Sequence, residues 1–194
     1  GDRQEYNFNA NGASEMSDYL ISLGYLDEQG YLKTSGFNRL SARLSTNINP
    51  TPWLKAGLNI NATHQNFDSS YGTGNTNNNP FNYCRKISPV YPVHTHDVNT
   101  GEYLLDKQGY RQYDSGSYTD ANGQVIVTRN QYADRHVIWE NQLNEDKTTR
   151  NTMNGIAYAN IMLPYNFTFM LKGNLNLRSS SESIYESSVI GDRA

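Results

Sequence analysis

Apolar and polar positions alternate with a period of two along much of this chain, the pattern of strands with one apolar and one wet face. Between residues 39 and 49, Leu40, Ala42, Leu44, Thr46 and Ile48 fall on one side. Arg39, Ser41, Arg43, Ser45, Asn47 and Asn49 fall on the other. Pro50 and Pro52 then predict a break, because proline cannot donate to a ladder. The alternation resumes with Leu54, Ala56, Leu58, Ile60 and Ala62 against Lys55, Gly57, Asn59, Asn61 and Thr63, which completes a hairpin. Near the C-terminus Tyr165, Phe167, Phe169, Leu171, Leu175 and Leu177 alternate with Asn166, Thr168, Met170, Lys172, Asn174 and Asn176. A more evenly apolar stretch precedes Pro164, and Tyr19, Ile21, Leu23 and Tyr25 share one face upstream. The pattern therefore predicts five strands, at residues 18–26, 37–49, 53–67, 152–163 and 165–178. Only residues 133–144, with Val137, Ile138 and Leu143, have a helical grouping.

The connections narrow the architecture. In an up-and-down meander of these five strands, the tight turns at Pro50–Pro52 and at Pro164 lie at one end. The ten-residue link Asp27 to Gly36 and the long segment from Asp68 to Asn151 lie at the other. Short turns on one side and long loops on the other, joined by long alternating strands, are the habit of outer-membrane barrels. Trp53 and Tyr165, just inside the two tight turns, suit a membrane–water boundary. A soluble β-sandwich also alternates, so a soluble carbohydrate-binding sandwich module stands as the alternative reading. The fold class expected from the pattern is all-β, an antiparallel meander. Its expected organisation is barrel strands in 1–67, a long external loop region in 68–151, and further strands with the start of the next loop in 152–194.

Composition favours the barrel. The chain is 36% hydrophobic and 18% charged, against roughly 45–50% and about 25% in ordinary soluble domains. Neutral polar residues fill the difference, including 25 Asn and 15 Tyr. A sandwich exposed to water would carry more Lys and Glu on its polar face, whereas Asn, Ser, Thr and Gly suit a wet or plugged lumen. Disorder needs high net charge and few aromatics, but the net charge is −3 and aromatics are 12%. That charge also excludes a nucleic-acid binder driven by phosphate counterion release. The single Cys84 rules out an internal disulfide and a cysteine-rich zinc site.

The segment 68–151 carries the candidate chemistry. Residues 72–82 are rich in Asn, Gly and Thr. Asp106-Lys107-Gln108-Gly109 and Asp120-Ala121-Asn122-Gly123 read as hairpin turns in which Gly supplies a positive φ. A loop of this length is usually functional. Tyr offers a flat apolar face and a hydroxyl, the combination that stacks sugars or peptides at a wet surface. Tyr91, Tyr103, Tyr110, Tyr113 and Tyr118 are the substrate-binding candidates. His94 and His96 would share one side of an extended segment, but without a third ligand they read as polar loop rather than metal site. The pairs Glu102/Asp106 and Asp114/Asp120 lack the burial a glycosidase carboxylate needs. No nucleophile elbow or phosphate loop is present. The expectation is no enzyme activity, no cofactor and no metal.

Several short runs, in order, resemble SusC/RagA-type TonB-linked outer-membrane transporters of Bacteroidetes-like bacteria. The first is Ser22-Leu23-Gly24-Tyr25-Leu26-Asp27-Glu28-Gln29-Gly30-Tyr31, followed by Phe37-Asn38-Arg39, Arg43-Leu44 and Trp53 to Asn59. The second is Asn79-Pro80-Phe81 with Ser88-Pro89-Val90-Tyr91-Pro92-Val93. The third comprises Asn99-Thr100-Gly101, Asp106-Lys107-Gln108-Gly109-Tyr110 and Tyr113-Asp114-Ser115-Gly116. The resemblance spans most of residues 15–190. It implies a piece of a transporter that imports oligosaccharides or peptides across the outer membrane. A SusD-like surface lipoprotein would serve as lid and TonB as energy source. Family members run several times this length, and five strands cannot close a barrel. The chain is thus expected to be a fragment whose open edges and lipid-facing side make it self-associate.

Overall fold

The computed structural model describes residues 1–69 and 79–191. Most of the Asn/Gly/Thr-rich run at 72–82 lies outside the described residues. In chain order the elements are β1 (Arg3–Ala13), β2 (Ser17–Gln29), β3 (Gly36–Thr51), β4 (Leu54–Ser69), α1 (Pro80–Lys86), β5 (Ser117–Thr119), β6 (Val125–Val127), α2 (Val137–Leu143), β7 (Glu145–Met162) and β8 (Thr168–Tyr185). They form two compact units. A sheet unit comprises Gly1–Tyr31, Ser35–Asp68 and Lys147–Ser183, and a loop unit comprises Leu32–Thr34, Ser69–Asp146 and Ile184–Ala194.

The sheet unit is an antiparallel meander, in spatial order β1-β2-β3-β4-β7-β8, and it is not closed. Six strands form where the pattern predicts five. The additional one, β1, pairs with β2 from Arg3↔Glu28 to Ala13↔Asp18. Its alternation of Tyr6, Phe8, Ala10 and Gly12 with Glu5, Asn7, Asn9 and Asn11 is weakly apolar, so the partner strand supplies much of its definition. The predicted break at Pro50 is a register shift between Ile48 and Thr51, and β3 continues through it. One missing donor disturbs a ladder locally without ending it. The β2–β3 link is shorter than the ten residues expected, because both strands run on to Gln29 and Gly36.

Strand β7 begins at Glu145 rather than near 152. Its first turnless stretch, Glu145 to Asn151, has no apolar alternation, and cross-strand polar pairing holds it. Thr149 Oγ1 donates to Asn66 Oδ1 at 2.9 Å, His64 Nδ1 and Asn151 Oδ1 are 2.7 Å apart, and the Arg150 guanidinium lies 5.4 Å from the Phe67 ring centre. Strand β8 similarly continues to Tyr185 through a run of serines. The β7–β8 turn places Tyr165 and Asn166 at positive φ, with Leu163 N donating to Phe167 O at 2.8 Å. Two consecutive left-handed residues match the twist of a tight hairpin.

The registers sort the side chains. Tyr25, Leu23 and Ile21 of β2 oppose Leu40, Ala42 and Leu44 of β3, which oppose His64, Ala62 and Ile60 of β4. Across β2, β3 and β4 the predicted aliphatic set thus forms one continuous face. It is open: Phe8 is 60% exposed, Leu40 52% and Leu171 62%. A sandwich requires this face to be sealed in a core, and here it is not. The opposite face carries Arg39, Ser41, Arg43, Ser45 and Asn47. There Gly57 lies beside Asn47 and beneath Tyr158, whose hydroxyl donates to Asn47 Oδ1 at 2.7 Å. A Cβ at Gly57 would approach Tyr158 Cε1 to 2.3 Å, so the ring fits only because this residue is glycine.

Candidate functional site

The loop unit is organised around charge. Arg129 is 3% exposed, and its Nη1 donates to the carbonyls of Gln131 and Tyr132 at 2.6 and 2.5 Å. Nη2 donates to the carbonyl of Asp114 at 2.8 Å and to that of Arg135. Asp114 Oδ2 lies 3.8 Å from Arg129 Nε, beyond hydrogen-bond reach but close enough to neutralise it. Asp114 Oδ1 accepts from Gly116 N at 2.7 Å and Thr128 Oγ1 at 2.6 Å. One buried cation therefore gathers the segments around 114, 131 and 135 onto itself. A second buried pair, Arg135 and Glu140, lies beside Gly191.

Helix α2 falls within the predicted helical stretch, and His136 caps it. Its Nδ1 accepts from Trp139 N at 3.3 Å, while Glu140 Oε1 accepts from His136 N at 3.0 Å. These reciprocal bonds satisfy two donors that a helix start leaves free. Burial, reinforced by the positive charge of Arg129, lowers the His136 pKa from 6.5 to about 4. The neutral ring can accept at Nδ1, which an imidazolium cannot do. Burial likewise raises the Tyr83 phenol above its ordinary value. The backbone N–H groups of Thr100 and Asn99 hold the Asp97 carboxyl below its own.

Three extended segments around residues 93–97, 102–105 and 111–114 are stitched together by backbone bonds. Thr95 N donates to Gln112 O, Leu104 N to Thr95 O, and Gln112 N to Leu104 O. Alternation places His94, His96, Tyr103 and Tyr113 in one aromatic group. The His96 and Tyr103 rings are 4.3 Å apart, His94 and Tyr113 4.9 Å, and Tyr113 and His136 4.8 Å. Trp139 stacks at 6.0 Å from Tyr113, whose hydroxyl donates to Gln142 Oε1 at 2.8 Å. The Arg111 guanidinium lies 4.0 Å from the centre of the Tyr103 ring.

Two of the five predicted tyrosines, Tyr103 and Tyr113, are therefore together, and Tyr103 is 43% exposed. Tyr110 stands apart at the Asp106 turn, 72% exposed. Tyr91 is half-buried in a turn where its N donates to Ser88 O at 3.2 Å. Tyr118 is buried, its hydroxyl accepting from Val98 N at 3.2 Å. Sequence reasoning did not anticipate Arg111, Trp139 or Gln142 at this face. Arg111 sits two residues before Tyr113 in an alternating strand, a signal that register alone supplies. Of the paired carboxylates, Asp114 serves the buried core, and Asp106 and Asp120 each bind backbone N–H groups of their own turns. Among the described residues, no three His, Cys, Asp or Glu gather as a metal site.

No family model matches the chain. Two curated proteins do. Over 170 residues, 86% of this chain, it is 29% identical to the TonB-dependent receptor SusC of Bacteroides thetaiotaomicron. Over 65 residues, 34% of this chain, it is 32% identical to the TonB-dependent receptor P39 of Formosa agariphila. The chain is similar to TonB-dependent receptors. It spans only 15% of the length of SusC and 6% of that of P39. The SusC match extends over most of the chain, so the similarity to TonB-dependent receptors is not confined to one motif.

Proposed function

We propose that this chain is a stretch of the barrel of an outer-membrane, TonB-dependent transporter of the SusC type, together with an external loop that meets the substrate. The open aliphatic face running across β1 to β4 carries this reading. A face of that extent in water would associate or collapse, whereas in a bilayer it has its natural solvent. The polar face opposite then lines the lumen or its plug. Trp53 and Tyr165, beside the tight turns, take the periplasmic boundary, where amphipathic rings are favoured. Similarity to two TonB-dependent receptors supports the same conclusion.

In this reading residues 1–67 and 152–194 supply wall, and 68–151 supplies the external loop. The cargo is an oligosaccharide or peptide, a SusD-like lipoprotein closes over the loop, and TonB drives transport. Tyr91, Tyr103, Tyr110 and Tyr113 are the substrate-binding candidates, with Tyr103 and Tyr113 the strongest because they share a face, whereas Tyr118 is buried with its hydroxyl bonded to Val98 N. Excised from lipid, the segment self-associates through its aliphatic face and its two open edges.

Cysteine labelling in native outer membranes tests the assignment of faces. A lipid-soluble maleimide should modify cysteine placed at Leu58 or Phe169, and a water-soluble one cysteine at Asn59 or Asn174. The reverse pattern would refute the reading.

A further inference from the structure

Besides stacking on Tyr113, Trp139 lines a cavity of about 960 Å³ in the loop unit, near the upper end of the roughly 300–1,000 Å³ of small-molecule sites. Two loops wall it. The long β4–β7 loop contributes Ser115, Gln131, Asp134 and Arg135 with Trp139, and the stretch after β8 contributes Val189 to Gly191. Both walls are fixed by bonds already formed. Arg129 holds the carbonyls of Gln131, Tyr132 and Arg135, and Asp134 N donates to Ser115 O at 2.7 Å. On the other wall Ser187 N donates to the buried Asn144 Oδ1 at 2.7 Å, and Ile190 is 4% exposed.

The lining decides what fits. Gln131 and Ser115 offer donors and acceptors, Asp134 offers acceptors, and Trp139 offers an aromatic plane. Its charges do not make an anion site. Arg135 Nη1 is balanced by Glu140 Oε2 at 3.5 Å, whereas among the described residues Asp134 forms no ion pair, so the surplus at the cavity is negative. A neutral pyranose has an apolar C–H face for the indole and a rim of hydroxyls, each both donor and acceptor, for the polar groups. A uronate would bring a second carboxylate towards Asp134, with the Arg135 charge already committed to Glu140.

Resting on the transporter reading, we propose that this cavity takes one ring of a neutral glycan, stacked on Trp139 and hydrogen-bonded to Asp134 and Gln131, and that Asp134 rejects uronates. Titration of the detergent-extracted protein with matched tetrasaccharides of glucose and glucuronate, galactose and galacturonate, and mannose and mannuronate tests this, with tetraalanine as competitor. At least one neutral member should bind, about tenfold or more tighter than its acid. It should slow amide exchange in residues 131–135 and 189–191 together. Asp134→Asn should lose most of the preference while keeping the local backbone, because Asn also tolerates the left-handed conformation found there, at φ 61°. Trp139→Ala should weaken neutral binding about tenfold, and Trp139→Phe, which keeps a ring on the helix, should fall between it and the parent. Absence of binding by every neutral member, or unchanged affinity in Trp139→Ala, overturns the proposal. Equal affinity for a neutral member and its acid, or a preference that survives Asp134→Asn, overturns the role of Asp134. Protection that misses either wall overturns the location, and equal competition by tetraalanine overturns the saccharide class. None of these outcomes touches the transporter reading, which stands or falls on the labelling pattern at positions 58, 59, 169 and 174.

Discussion

Replacing Arg129 by Met removes the charge and the donors while keeping a similar volume, and the geometry fixes what is lost. Four carbonyls, those of Asp114, Gln131, Tyr132 and Arg135, lose a charged donor at once. The Asp114 carboxylate, 1% exposed, is left without a countercharge. Hydrogen bonds to charged groups contribute about 1.5–3 kcal/mol each, but the freed carbonyls recapture water as the loop loosens, so their sum overstates the loss. The measured range for breaking a buried pair, about 3–5 kcal/mol, is the better guide. At about 1.4 kcal/mol per factor of ten, local opening should become roughly two to four orders of magnitude more frequent. Hydrogen–deuterium exchange reads this at the amides of Asp114, Gly116 and Thr128, which bond to Val93 O, Asp114 Oδ1 and Gly116 O. Amides of β3 should not change. Combining Arg129→Met with Asp114→Asn should cost less than the two changes summed, because the second removes the stranded charge. A rise in exchange of less than tenfold would refute the argument that Arg129 organises this unit.

The neutral state of His136 gives the loop unit an acid-sensitive stability. With a folded pKa of about 4 against 6.5, the unfolded chain binds the extra proton between those values. Up to about 3 kcal/mol is fully present above pH 6.5 and is lost as the pH falls towards 4. Exchange at Glu140 and Asn144 should accelerate across that window, and His136→Asn, which can still cap, should flatten the profile; an unchanged slope in the variant would count against His136 as the titrating group. In the sheet, Gly57→Ala should cost about 1–3 kcal/mol, since the new methyl group expels the Tyr158 ring from its place beside Asn47. Urea unfolding in detergent measures this, and adding Tyr158→Ala should relieve most of the increment.

The sheet was legible because its chemistry is local. Leu40 to Ile48 and Leu54 to Ala62 declare their faces through side chains alone, and a period of two needs no tertiary partner. Strand β1 was not legible because Asn and Gly dilute its alternation, and the start of β7 was not because residues 145–151 are polar on both faces. Those segments are strands by virtue of their neighbours. In the loop, the Asp-initiated turns could be read, since Asp106 and Asp120 bond to amides two and four residues ahead. The buried quartet of Asp114, Arg129, Arg135 and Glu140 could not, because charged residues in a polar loop look solvated until the fold removes their water. Tyrosines as a class were a sound pointer to the aromatic face, but which of them share it depends on the pairing of His94 with Tyr113 and His96 with Tyr103.

If the sheet spans a bilayer as proposed, the unequal ends of its strands have a mechanical consequence there. At the tight turns the apolar band stops abruptly, with Trp53, Tyr165 and Phe167 exposed beside the chain reversals. At the other end β4 and β7 continue as a polar ladder past Ala62 and Met153, held by His64, Asn66, Thr149 and Asn151. From Met153 back to Glu145 that ladder runs about 26 Å along the strand, at roughly 3.3 Å per residue. Hydrophobic mismatch is then absorbed asymmetrically. A thicker membrane meets wettable strand at one end and an aromatic stop at the other, so the sheet keeps its depth at the turns and adjusts only where it is polar.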